Sequence, residues 1–113
     1  MKVKCTINKI KNNSNLLNFD VEDILIVGQE YVVFRIIIRE NTYFLIFDGS
    51  HLIEVPCQMF DIIEENISNN WVVHLQSGIL TIGAKLFNEE FWFDDFSELS
   101  EEERIKKVDN FLI

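Results

Sequence analysis

Residues 30–56 constrain the fold more than any other stretch, because they read as three short strands laid side by side. Residues 31–39 and 42–47 are β-branched and aromatic runs, separated by Glu40 and Asn41 as a two-residue hairpin loop. Pairing Arg39 with Thr42 and counting outward sets Ile38 against Tyr43, Ile36 against Leu45 and Phe34 against Phe47, a wholly apolar face. The other face is mixed: Arg39, Thr42, Ile37, Phe44, Arg35, Ile46, Val33 and Asp48. A slip of one residue would scramble both faces, so the apolar pattern predicts this pairing. Asp48-Gly49-Ser50 is the next turn, with Gly49 supplying a positive φ, and residues 52–55 return as a third strand. Its register stays open between Leu45 opposite Leu52 and Leu45 opposite Ile53.

Around this centre the local signals are of several kinds. Lys2, Lys4 and Thr6 alternate with Val3, Cys5 and Ile7, as in a half-buried strand with its lysines outward. Residues 8–18 are rich in Asn and Lys and read as a loop, and Asp20 can cap a single helical turn over residues 20–23. Residues 71–75 and 79–82 form a further hairpin with Gly78 in its loop. Residues 84–96 fit either element: Phe87 and Phe91 stand four apart as on a helix, while Phe91 and Phe93 flank Trp92 as on a strand. Ser100 with Glu103 is a capping box, and Glu101 and Glu102 suit the positive end of a helix dipole. Glu102 with Lys106 and Glu103 with Lys107 add support at i,i+4 spacing. Ile105, Val108 and Leu112, with Phe111 beside them, give that helix an apolar face to lay on the mixed side of the hairpin. The class expected is mainly β (α+β), a small antiparallel sheet or partly open barrel of five to seven strands with a C-terminal helix. One domain over residues 1–113 accounts for the length, which allows about two-thirds of the unfolded surface to be buried.

Charge narrows the partners. The net charge of −9 disfavours nucleic acid and anionic membranes, since both require a Lys/Arg surplus to displace counterions. It suits a cationic protein. Met1-Lys2-Val3-Lys4-Cys5 opens no apolar signal region, and no window approaches the roughly 20 apolar residues of a membrane span, so a cytoplasmic protein is expected. Cys5 and Cys57 each sit inside an apolar pattern and read as buried, reduced thiols. Cys5, Cys57, His51 and His74 are scattered singly, unlike the close repeated spacing of a metal site. Asp48, Ser50 and His51 share one turn, and turn chemistry already accounts for the first two. The four glycines stand singly near turns, so no phosphate loop is formed and no cofactor is expected.

The largest unexplained feature lies near the C-terminus. Residues 86–103 hold no Lys or Arg but carry Glu89, Glu90, Asp94, Asp95, Glu98, Glu101, Glu102 and Glu103. Phe87, Phe91, Trp92, Phe93 and Phe96 are interleaved with them. Acid around aromatics suits a surface that captures a basic protein, with Trp92 as anchor and the carboxylates setting on-rate and specificity. The other reading makes the aromatics core and the acids their solvated face. The adjacent pairs Glu89-Glu90 and Asp94-Asp95 read as solvated surface, not as an acid/base couple, because neighbouring side chains point apart.

Two resemblances follow. Val55-Pro56-Cys57-Gln58-Met59-Phe60-Asp61-Ile62-Ile63 resembles the strand, Pro-started 3₁₀ turn and strand that close SH3-like barrels. Gly28-Gln29-Glu30-Tyr31-Val32-Val33 resembles the lead into such a barrel's first long strand, so the likeness spans residues 27–64. The chain lacks the aromatics that peptide-binding SH3 domains cluster before their first hairpin, and their Pro-peptide groove is not implied. In size, acidity and want of catalytic chemistry, the whole chain resembles the small immunity proteins of bacterial polymorphic-toxin and contact-dependent growth inhibition systems. That resemblance implies an inhibitor occluding a basic toxin such as a nuclease, and assigns no residue a role. A non-catalytic adaptor that binds protein or peptide through its sheet and loops is the alternative. An enzyme is the third reading, opposed by the lack of a coherent acid, base or metal set.

Overall fold

The computed structural model describes residues 1–12, 17–20, 24–67, 70–85 and 98–112. Along them run β1 (Lys2–Cys5), β2 (Lys9–Asn12), β3 (Leu17–Asp20), β4 (Glu30–Ile38), β5 (Thr42–Phe47) and β6 (Leu52–Pro56). A 3₁₀ turn (Cys57–Met59), β7 (Phe60–Glu64), β8 (Trp71–Gln76), β9 (Ile79–Ala84) and helix α1 (Glu101–Leu112) follow. Seven strands share one antiparallel sheet, while β2 and β3 make a separate ribbon. The protein is thus mainly β with a C-terminal helix, as its patterning predicts.

The sheet runs β6-β5-β4-β1-β7 and is open, since among the described residues β6 and β7 end the path without pairing to each other. Pro56 leads from β6 into the 3₁₀ turn, where the Phe60 N–H closes on the Cys57 carbonyl. The chain then returns as β7 beside β1, the passage that the SH3-like resemblance implies. Strand β4 is long enough to serve two neighbours along one edge. β1 pairs with Glu30 to Val32, and β9 takes Arg35 to Ile38. β8 completes that second arm by pairing with β9 alone among the described residues.

The hairpin of β4 and β5 exists, but its register differs from the expected one. Ile38 pairs with Thr42, Ile37 with Tyr43 and Ile36 with Phe44, leaving a three-residue loop in which the Arg39 N–H meets the Asn41 carbonyl at 3.2 Å. A bulge at Phe34 then shifts the ladder, with Val33 opposite Ile46 and Arg35 opposite Leu45. The apolar pattern misleads here because it presumes one buried face. Both faces are covered: Phe44 and Ile46 join a cluster with Val3, Tyr31, Val33, Val55, Met59 and Phe60, while Leu45 joins Phe34, Ile37, Leu52, Ala84 and Val108. The helix lies on the face of Phe34, Ile37 and Leu45, and of the expected mixed set only Ile37 belongs to that cluster.

The third strand takes neither of the two registers left open. Leu45 pairs with Glu54 and Phe47 with Leu52. Asp48 Oδ1 accepts the amides of Ser50 (2.8 Å) and His51 (2.7 Å), and the Asp48 N–H donates to the His51 carbonyl at 3.1 Å. With Gly49 at φ 108°, that turn is closed by its own local chemistry. Residues 8–18, read as a loop, hold most of the β2–β3 ribbon, whose register sets Lys9 opposite Asp20 and Ile10 opposite Phe19. The helical turn expected at residues 20–23 falls outside the described residues beyond Asp20, which ends β3.

Gly83 lies where β9 is packed tightly against β4. It pairs with Arg35, and a Cβ placed on it would stand 2.8 Å from the Phe34 carbonyl oxygen and 2.9 Å from Arg35 Cβ. Backbone cannot yield as a flexible side chain does, so Gly83→Ala must part β4 from β9. A loss of about 1–3 kcal/mol in urea melts is the expected result, as for other overpacked sites. A melt indistinguishable from wild type would show that β9 separates freely from β4.

Candidate functional site

The acidic run divides at residue 98. Glu89, Glu90, Trp92, Asp94 and Asp95 lie outside the described residues, as does most of the stretch 84–96 that fitted either helix or strand. Glu98, Glu101, Glu102 and Glu103 are described and all four are exposed. The last three form the first turn of α1. The N-cap half of the expected capping box is present: Ser100 Oγ accepts the Glu103 N–H at 3.2 Å, and Glu103 Oε1 takes the Ser100 hydroxyl at 3.0 Å.

This turn is fastened to the sheet at the β5–β6 turn. Ser50 Oγ donates to Glu101 Oε1 at 2.9 Å. The Arg104 guanidinium donates to the Ser50 carbonyl (3.3 Å) and to the Leu99 carbonyl (3.0 Å). Leu99 packs on the second cluster, and Val108 is buried within it one helical turn beyond Arg104. The four carboxylates therefore differ. Glu101 and Glu103 hold structure, whereas Glu98 and Glu102 are exposed and enter none of the hydrogen bonds that fasten this turn. The Glu103 role is local and legible in the sequence, whereas the Glu101 contact is not, because it joins residues 51 positions apart.

Other parts of the surface carry chemistry of a weaker kind. Arg39 pairs with Glu54 at 3.3 Å and lies 4.5 Å over the Tyr43 ring, a half-exposed arrangement of modest energy. Arg35 is more deeply set, and its Nε has no hydrogen-bond partner. Burial holds its guanidinium below the usual arginine range; Glu54 opposes that shift and Arg39 adds to it. One cleft of about 430 Å³ opens where the arms of the sheet diverge, between Met1, Lys2, Glu64 and Trp71. Another of about 540 Å³ lies between the β4–β5 loop and the β8–β9 turn, beside Arg39, Tyr43 and Ile79. Among the described residues, no three His, Cys, Asp or Glu side chains converge as metal ligands, and no helix is long and apolar enough to cross a membrane.

Both thiols are free, and burial pushes both above the ordinary cysteine range. Cys5 is buried as expected, whereas Cys57, at the start of the 3₁₀ turn, is only half-buried. Asp48 and Ser50 are spent on the turn and on the helix contact, which leaves the Asp48, Ser50 and His51 set as turn chemistry.

The surface that sequence reasoning missed is β8. Val73 and Leu75 are 63% and 73% exposed, although their pattern suits a buried strand face. Their cross-strand partners Ile82 and Leu80 are only partly covered, so an apolar strip continues onto β9. The signal was present in the segment itself, since residues 71–76 contain no charged side chain. No protein-family model matches the chain, and no curated protein and no solved structure matches it either.

Proposed function

We propose that the protein is an immunity-type inhibitor that binds a basic bacterial toxin, a nuclease being the fitting case, in the cytoplasm and occludes it with an acidic surface. The observation that carries this reading is the fastening of α1. Ser50 and Arg104 hold the helix start against the sheet, with Glu98 and Glu102 exposed where an acid-rich run meets the fold. That run adds Glu89, Glu90, Asp94 and Asp95 around Trp92, and the whole chain has a net charge of −9. A carboxylate surface of this kind mimics phosphate charge and steers onto a cationic cleft, while an aromatic anchor supplies affinity. The protein acts here by binding, not by catalysis.

A second reading is favoured by a different observation. The exposed Val73 and Leu75 on β8 suit a non-catalytic adaptor that binds protein or peptide along its sheet.

The test is surface-plasmon kinetics on the toxin encoded beside the gene. Reversing Glu89, Glu90, Asp94, Asp95, Glu98 and Glu102 to Lys should slow association about tenfold or more, with little change in dissociation. Glu101 and Glu103 are spared because they hold the helix start. Association of the wild type should also slow steeply as the Debye length falls from about 10 Å at 0.1 M salt to about 3 Å at 1 M. A control reversal of Glu22, Asp23 and Glu30 should do much less. Binding by the six-site variant at the wild-type rate would remove the acidic run from the interface.

A further inference from the structure

We propose that β7 is a docking edge for an extended basic strand, in which lysine or arginine alternates with apolar residues. β6 and β7 end the path of the open sheet, and the two edges differ. β6 ends in Pro56, and its Glu54 is already paired with Arg39. Among the described residues β7 pairs with β1 alone, and Asp61 and Glu64 enter no ion pair or side-chain hydrogen bond. Residues 61–67 are all exposed, Ile62 and Ile63 by 49% and 48%. Such an edge offers unpaired backbone groups to an added strand, while side chains at alternate positions set which strand is accepted.

Charge selects the occupant. Register places Glu30 opposite Lys4 and Lys4 opposite Asp61, so charge alternates across β4, β1 and β7. Lys2 stands opposite Glu64 in the same way, beyond the register shift at Ile63. The next strand outward therefore meets Asp61 and Glu64, with the exposed Ile62 between them. A cation directly across from each carboxylate and an apolar residue across from Ile62 satisfy that edge. β1 already shows the pattern on the inner side, where Lys4, Val3 and Lys2 face Asp61, Ile62 and Glu64. A second copy of this chain is the wrong occupant. Antiparallel pairing of two β7 strands, centred between Ile62 and Ile63, would set Asp61 of each copy opposite Glu64 of the other. Charges on an edge repel a like edge and admit an opposite one.

This inference shares with the toxin reading only the sign of the partner's charge, so each can fail without the other. The probes are a capped hexapeptide alternating Lys and Val, its Glu and Val counterpart, and a block peptide of three Lys followed by three Val. Titrated into the full chain and followed by amide NMR, the alternating Lys peptide should bind with a Kd below about 1 mM. Shift changes and slowed amide exchange should centre on residues 60–64. The Glu peptide should bind at least about tenfold more weakly, as should the block peptide, whose charges cannot register with both carboxylates. Asp61→Asn/Glu64→Gln, at exposed positions, should bring the two alternating peptides to within about threefold of one another. Asp61→Lys/Glu64→Lys should invert the preference, and circular dichroism should show both variants folded. A wild type that binds no peptide at about 1 mM would overturn the proposal. So would shift changes centred on another strand, a block peptide that binds as well as the alternating one, or a preference unchanged in the folded neutral variant.

Discussion

Phe34→Ala lowers the free energy of unfolding by about 3–5 kcal/mol, the range for truncating a buried aromatic side chain. Phe34 is only 4% exposed and is the extra residue of the β4 bulge. The bulge turns it onto the face of Ile37, Leu45 and Leu52, beneath Val108 of the helix. Those neighbours belong to three strands and one helix, so collapse around the lost ring would have to move four elements at once. Little relaxation is available, and the cavity term adds to the lost transfer energy. Domains of this size are stable by only about 5–15 kcal/mol, so the variant should melt at much lower urea. Ile26→Ala is the control. Its side chain is 63% exposed, and its loss should stay within about 0.5 kcal/mol. Equal losses for the two would show that Phe34 is not part of a packed cluster.

Val108→Asp is the second large effect. Val108 is 1% exposed and is the helix residue at the centre of the second cluster. The substitution removes a buried apolar side chain and places a carboxylate among Phe34, Ile37, Leu45 and Ala84, while Arg104, one turn back, is already engaged by the Ser50 and Leu99 carbonyls. An uncompensated buried charge costs about 3–5 kcal/mol. The helix can avoid that cost by leaving the sheet, so the loss is capped by the free energy of docking α1. Urea melts followed by far-ultraviolet circular dichroism separate the two outcomes, as undocking releases helix signal before the sheet unfolds. Either outcome also bears on function, because Glu102 and the preceding Glu98 are held in place only while the helix is fastened. Glu102→Ala, at an exposed position, should melt within about 0.5 kcal/mol of wild type. A Val108→Asp variant as stable as wild type would mean that the helix does not dock through this side chain.

Chemistry between residues a few positions apart was legible in the amino-acid sequence, because it needs nothing from the rest of the chain. The Ser100 cap with Glu103, the Asp48-Gly49 turn and the Ser77-Gly78 turn of the last hairpin all form where expected, with Gly49 and Gly78 at positive φ. The strand, Pro56 and 3₁₀ turn that lead to β7 belong to the same kind, as does the C-terminal helix. Register was not legible. An apolar alternation shows that a face will be buried, but not whether the opposite face will be buried too. In β4 and β5 both are, one under β1 and β7 and the other under α1, so the pattern tolerates the bulge at Phe34 and the one-residue shift it accompanies. The division of β4 between β1 and β9 rests on contacts between distant parts of the chain, as does the tie from Ser50 to Glu101. Composition marked the acids, whereas tertiary structure decided that Glu101 is tied to Ser50 and that Glu98 and Glu102 stay outside the bonds that fasten the helix start. The apolar strip on β8 has the same origin. Val73 and Leu75 resemble Val33 and Leu45 in residue type, and only the layering of the fold covers one pair and leaves the other exposed.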